Sequence, residues 1–128
     1  MDTQNNDAET YKLIGLAMKV HRELGCGFYE AVYKDAFEIE LRKEGVPYER
    51  EKHIDVFYCG EKLPTYYVAD FICYGSIIIE AKTIQKLTGQ DESQLVNYLK
   101  ATGCKRGLLF NFGNKSLEHQ RMVLGYEG

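Results

Sequence analysis

The sequence lacks several features, and each absence excludes a class of protein. It has no long hydrophobic run: stretches such as Ile77-Ile78-Ile79 fall far short of the roughly 20 apolar residues of a membrane helix. It has no excess of positive charge. With 16 Lys+Arg against 19 Asp+Glu the formal net charge is −3, which excludes a strongly basic coat for nucleic acid but not a local basic site. Met1-Asp2-Thr3-Gln4-Asn5-Asn6-Asp7 is polar and acidic, so no secretory leader is expected. Cysteine pairs are missing too: Cys26, Cys59, Cys73 and Cys104 stand far apart, and His21, His53 and His119 add no close-spaced ligand pair. A zinc site is therefore not expected, and reduced thiols in a cytoplasmic protein are.

What is present is ordinary globular material. The 128 residues are 45% hydrophobic and 27% charged, enough for one domain with a real core. Residues 1–8 read as a disordered tail, and residues 9–128 as the single domain. Leu13, Ala17, Val20 and Leu24 form one stripe of a first helix that opens at Glu9 or Thr10 and is broken by Gly25-Cys26-Gly27. A second helix runs from Phe28 to Glu44, with Tyr33, Phe37 and Leu41 on one face and Gly45 and Pro47 closing it. Extending that stripe back by three places reaches Glu30, a carboxylate where an apolar residue is due.

The period then changes from helical to alternating. Ile54, Val56 and Tyr58 mark a first strand, Gly60-Glu61 a turn, and Tyr66 to Ile72 a second strand. Ser76 to Lys82 is a third, whose Ile run suggests cover on both faces. Asp91 to Thr102 reads as a third helix ended by Gly103, and Gly107 to Phe112 as a fourth strand. A strand, a helix and a strand make a crossover, so the third and fourth strands should be parallel. The expected fold class is α/β (α+β), with a mixed four-stranded sheet flanked by helices in the order α-α-β-β-β-α-β.

One polar cluster stands out from this frame. Glu80 and Lys82 are two apart on a strand and leave its same face. Asp70 on the preceding strand is brought beside Glu80 by the turn at residues 73–76. Adjacent carboxylates repel unless a cation or a shared proton lies between them. A divalent metal held through oxygens would resolve the conflict, with Lys82 beside it to hold an anionic substrate. An Asp–Lys–Glu salt-bridge cluster at a strand end is the plainer alternative. Gln94 and Tyr98, at i and i+4 on the third helix, share one face turned toward the same end of the sheet. Lys86, Lys100, Lys105, Arg106 and Lys115 follow that strand and could track phosphates or simply form a solvated face.

These residues resemble a known family. Gly27-Phe28-Tyr29-Glu30-Ala31-Val32-Tyr33 is similar to the signature of the GxxExxY proteins, a small prokaryotic family placed in the PD-(D/E)XK nuclease superfamily. Val68-Ala69-Asp70 resembles its D position, Ile78-Ile79-Glu80-Ala81-Lys82 its ExK strand, Gln94-Leu95-Val96-Asn97-Tyr98 the Q-x-x-x-Y helix of the exonuclease branch, and Gly107 to Gly113 its G-L-L-x-N-F strand. The resemblance covers about residues 10–124. It implies a restriction-endonuclease-like core, with Asp70 and Glu80 as ligands of Mg²⁺ or Mn²⁺, Lys82 as the catalytic lysine, and Glu30 reaching the site from the helix. Gln94 and Tyr98 would be accessory or substrate-contacting residues. Ala69 stands where the superfamily's motif has Pro, and Asp91-Glu92 where the family often has a His before the Gln, so no role for that His carries over.

The expected function is a metal-dependent nuclease hydrolysing phosphodiester bonds in nucleic acid, DNA first of all. The alternative is a non-catalytic module of nuclease fold that binds or assembles. The intact Asp70, Glu80 and Lys82 favour the enzyme, and the low basicity favours the module. A small acidic chain without an added recognition domain suits weak sequence specificity or a protein partner that delivers substrate, and ten tyrosines leave room for a homodimer interface. No membrane partner is expected.

Overall fold

The computed structural model describes residues 7–125. Helix α1 (Ala8–Leu24) and α2 (Glu30–Lys43) lead into strands β1 (Tyr48–Tyr58), β2 (Glu61–Cys73) and β3 (Ile77–Lys82). Helix α3 (Gly89–Thr102) then crosses to β4 (Arg106–Asn111), and β5 (Glu118–Val123) closes the sheet. The strands lie in sequence order, antiparallel throughout except for the parallel β3–β4 pair. The order and the parallel crossover are those the sequence predicts.

The sheet has a helical layer on each face. Leu13, Ala17 and Val20 of α1 and Tyr33, Phe37 and Leu41 of α2 pack on Phe71, Ile77, Ile79 and Phe110. On the other face Leu95 and Leu99 of α3 cover Ile78, Leu109 and Ile54. The Ile run of β3 is apolar throughout because its residues alternate between these two cores. Gly107 is fitted to its place on β4: a Cβ there would lie 2.8 Å from the Leu95 side chain, so its absence lets α3 lie close on the strand.

Beyond shifts of one or two residues at helix and strand ends, the fold differs from the sequence expectation in these places. The sheet has five strands rather than four, β5 pairing with β4 from Arg106 opposite Val123 to Asn111 opposite Glu118. Glu118 to Val123 carries mostly polar residues half open to solvent, so backbone pairing rather than an apolar pattern holds this edge. The β1–β2 ribbon also begins earlier and runs longer than Ile54 and Tyr66 suggest. Asp7 and Ala8, read from sequence as part of a tail, belong to the fold: Ala8 opens α1, and Asp7 pairs with Arg106 at 3.1 Å and with Arg121. Residues 1–6 and 126–128 lie outside the described residues. Among those described no helix is long and apolar enough to cross a membrane, and the four cysteines are free thiols.

The β1–β2 ribbon exchanges its faces part-way along. Tyr48, Phe71 and Cys73 pack toward α1 and α2, whereas Ile54, Tyr67 and Ala69 pack toward α3, although residues of the same parity would share a face in a regular ribbon. The exchange falls where Arg50 opposes Phe71 and Lys52 opposes Ala69, with Glu51 and Asp70 between them. Glu51 carries it with φ 54°, a left-handed conformation uncommon for a residue with a side chain. Asp70 therefore stands at the crossover point of the ribbon.

Candidate active site at the fork of beta2 and beta3

Backbone pairing between β2 and β3 ends at Phe71 opposite Ile79. One step further the strands diverge, and two carboxylates replace the missing backbone acceptors. The Asp70 N–H donates to Glu80 Oε2 at 2.8 Å, and the Ala81 N–H donates to Asp70 Oδ2 at 2.8 Å. Both side chains belong to buried residues, Asp70 at 9% and Glu80 at 4% exposure. Burial and then the neighbouring Asp70 charge push the Glu80 carboxyl up to about 8, against the smaller pull of the Asp70 N–H, Lys82 and Lys34. The fork concentrates negative charge where little water reaches it.

Two lysines answer that charge from opposite sides. Lys82 leaves β3 on the face of Glu80, and its ammonium donates to Gln94 Oε1 on α3 at 2.8 Å. Tyr98, one turn beyond Gln94, is buried with its ring 5.0 Å from that of Tyr67. Burial, then the charges of Glu80 and Asp70, push its hydroxyl up to about 12. Lys34 arrives from α2, its Nζ donating to Asp70 Oδ1 at 3.1 Å and lying 2.9 Å from Glu51 Oε2. Burial pulls Lys34 toward deprotonation, but its bonds to Glu51 and Asp70 outweigh that and hold it above the ordinary lysine range.

Asp70, Glu80, Lys82, Gln94 and Tyr98 are thus gathered at one place, as the sequence predicts. Glu30 stands at the rim: its side chain is 42% exposed, it pairs with Lys34 at 3.7 Å, and it feels the charges of Asp70 and Lys82. The α2 stripe turns only partly inward at its first residue, where the helix has just begun. Burial first, and the Asp70 charge second, raise its carboxyl above the usual range. Arg106, considered from sequence for phosphate tracking, is committed to the fold through Asp7, Glu9 and Ser76.

Sequence reasoning missed Lys34, Glu51 and Asn111. Lys34 was findable as the i+4 partner of Glu30. Asn111 is fully buried at the end of β4. Its Oδ1 accepts from the Ile84 and Gly113 N–H groups, each at 3.0 Å, and its Nδ2 donates to Ile84 O at 2.9 Å and Glu118 Oε1 at 3.0 Å. It pins the loop that leaves the Glu80–Lys82 strand. Tyr33 pins another: its hydroxyl donates to Gly25 O at 2.5 Å and accepts from the Phe28 N–H, while its ring stacks on Phe112. Asp91 serves the fold too, accepting the Thr88 N–H in a capping box that starts α3.

Among the described residues no group of three or more His, Cys, Asp or Glu side chains is placed to hold a metal. The donors at the fork are two buried carboxylates from adjacent strands. Such an all-oxygen set fits Mg²⁺ or Mn²⁺, since Mg²⁺ is commonly bound through one or two carboxylates and keeps several waters.

The chain belongs to the PD-(D/E)XK nuclease superfamily, whose family model matches residues 7–122. No curated protein matches it in sequence. Among solved structures, the crystal structure of SSO0001 is similar with a TM-score of 0.59 and 20% identity, covering 76% of this chain and 50% of that one. The chain spans half the length of that protein, and the likeness is one of fold.

Proposed function

We propose that this protein is a divalent-metal-dependent nuclease that hydrolyses phosphodiester bonds in nucleic acid, DNA first of all, and that it is a GxxExxY member of its superfamily. The observation that carries the reading is the fork itself: two buried carboxylates on diverging strands, with a lysine two residues from one of them on the same face. A purely structural fold has little use for adjacent carboxylates in a poorly solvated cleft, because burial first and the Asp70 charge second raise Glu80 far above an ordinary glutamate.

Asp70 and Glu80 would hold the cation, Mg²⁺ or Mn²⁺. Bound there, it supplies Lewis acidity and an activated water. Lys82 is not a ligand in this reading. Gln94 fixes its ammonium beside the fork, where its charge stabilises the negative charge that develops on the phosphate. Tyr98 stands close enough to Glu80 for its hydroxyl to feel that charge and would serve as an accessory or substrate-contacting residue, and Glu30 acts at the rim through Lys34. The net charge of −3 suits weak sequence specificity, or a homodimer or protein partner that delivers substrate.

The Lys34–Asp70 ion pair favours a second reading, a module of nuclease fold without turnover, because it lets the cluster neutralise part of its own charge. Calorimetric titration of Mn²⁺ into the wild type and Asp70→Ala separates the two. The nuclease reading expects one site in the wild type and its loss in the variant. Equal heats from the two proteins would leave the fork as a salt-bridge cluster and end the metal-site assignment.

A further inference from the structure

The fork has a cation of its own. Lys34 lies on α2, its side chain only 13% exposed, and it contacts three carboxylates contributed by three elements: Asp70 of β2 at 3.1 Å, Glu51 of β1 at 2.9 Å and Glu30 of α2 at 3.7 Å. Its position is built from both sides. Glu51 reaches it from a backbone held at φ 54°, at the point where the β1–β2 ribbon exchanges faces. Tyr33, the residue before Lys34, is fully buried and anchored at its hydroxyl, which fixes the rotation of the helix that presents the lysine.

We propose that Lys34 is the resident counterion of Asp70 and that a divalent cation binding at the fork must displace it, so that Lys34 sets the metal affinity of the site. The inference rests on the assignment of Asp70 and Glu80 as metal ligands. Asp70 has two oxygens: Oδ2 is engaged by the Ala81 N–H, and Oδ1, the one left to face a cation, is engaged by Lys34. An ammonium and a divalent metal cannot both make close contact with that oxygen without strong like-charge repulsion. Glu51 and Glu30 give the displaced ammonium somewhere to stay. It can leave Asp70 while keeping its partner at 2.9 Å, which keeps the exchange local and reversible.

The counterion also explains how the fold tolerates its own site. Without an opposing charge, Asp70 and Glu80 would face each other across the fork in a region of low dielectric. Lys34 offsets that repulsion on the Asp70 side, so its removal costs the metal-free protein more than the metal-bound protein.

The test is calorimetric titration of Mn²⁺ into the wild type, Lys34→Met and Lys34→Arg, with thermal melts of each protein in EDTA and in saturating Mn²⁺. Lys34→Met is expected to bind Mn²⁺ roughly three- to tenfold more tightly, the scale of an ion pair of intermediate burial. It should melt lower than the wild type in EDTA, with the gap narrowed in Mn²⁺. Lys34→Arg, which keeps the charge, should stay near the wild type. Unchanged or weaker binding by a folded Lys34→Met overturns the counterion role, while absence of binding to the wild type overturns the metal site beneath it. Should Lys34→Met fail to fold, the wild type serves: the ¹⁵N signal of the Lys34 ammonium should shift or broaden on adding Mg²⁺, and a signal that stays unchanged as the site fills overturns the proposal.

Discussion

Asp70 and Glu80 each accept a hydrogen bond from the backbone of the other's strand, Asp70 from the Ala81 N–H and Glu80 from the Asp70 N–H, both at 2.8 Å. The two carboxylates thereby take over the strand pairing that stops at Phe71 and Ile79. The fork is both the end of a ladder and the centre of charge, so a change in either residue acts on fold and site together.

Metal-free stability should depend on pH through Glu80. Its carboxyl titrates near 4.3 in an unfolded chain and at about 8 in the fold, so the native state binds the proton more tightly. The stabilisation tied to that proton is complete below about pH 4 and is lost as pH rises through about 8. In EDTA the melting temperature should therefore fall from pH 5 to pH 8, and Glu80→Gln should flatten that slope and melt above the wild type at pH 8. A slope that is identical in the variant would mean that Glu80 is not the group responsible.

Asp70→Asn should behave differently from Glu80→Gln, although both remove one charge. Asp70 is the partner of Lys34, and neutralising it weakens a charge-assisted hydrogen bond in a half-enclosed site. Metal-free stability is expected to drop by about 1–3 kcal/mol on urea denaturation at neutral pH. A variant more stable than the wild type would show that carboxylate repulsion outweighs the lysine bond.

The frame around the site was easier to read from sequence than its charges. Apolar periodicity marks α1, α2, β3 and β4, because Leu13, Phe37, Ile78 and Leu109 owe their places to burial. Edge elements obey a different rule. Glu118 to Val123 is a strand because β4 needs a partner, and the first half of β1 has Arg50 where an apolar residue would announce a strand. Arg50 lies over the Phe71 ring at 5.7 Å and bonds Glu38 at 2.7 Å, so a cation does the covering. At the site, Asp70, Glu80 and Lys82 are legible because strand spacing fixes their shared face. Glu51 was not, and Lys34 only as the i+4 partner of Glu30, since a lysine on a helix and a glutamate on an edge strand read as solvated until the ribbon's exchange of faces brings them together.

The loop after β3 should depend on Asn111 and Gly113. Asn111 bonds both backbone groups of Ile84, and a Cβ on Gly113 would lie 2.4 Å from Ile84 O and 2.8 Å from Ile84 N, with backbone rather than side chain in the way. Asn111→Ala should cost about 2–3 kcal/mol by leaving buried loop groups unbonded, and Gly113→Ala about 1–3 kcal/mol or more by overpacking. Urea denaturation of both variants checks this. Losses within about 0.5 kcal/mol, the usual range for surface changes, would show that the loop is not held there.

Cleavage of a labelled oligonucleotide and of plasmid DNA in Mg²⁺, by the wild type and by Lys82→Ala side by side, tests the central claim most directly. Lys82 bonds Gln94 and takes no part in the two bonds between the fork carboxylates and the backbone, so its loss should leave the fold and metal binding intact. The nuclease account predicts cutting by the wild type that EDTA abolishes, and a rate at least about a hundredfold lower in Lys82→Ala, the scale of losing one electrostatic stabiliser. Cutting by Lys82→Ala at the wild-type rate, or no metal-dependent cutting by the wild type of DNA or RNA in either strandedness, would contradict it.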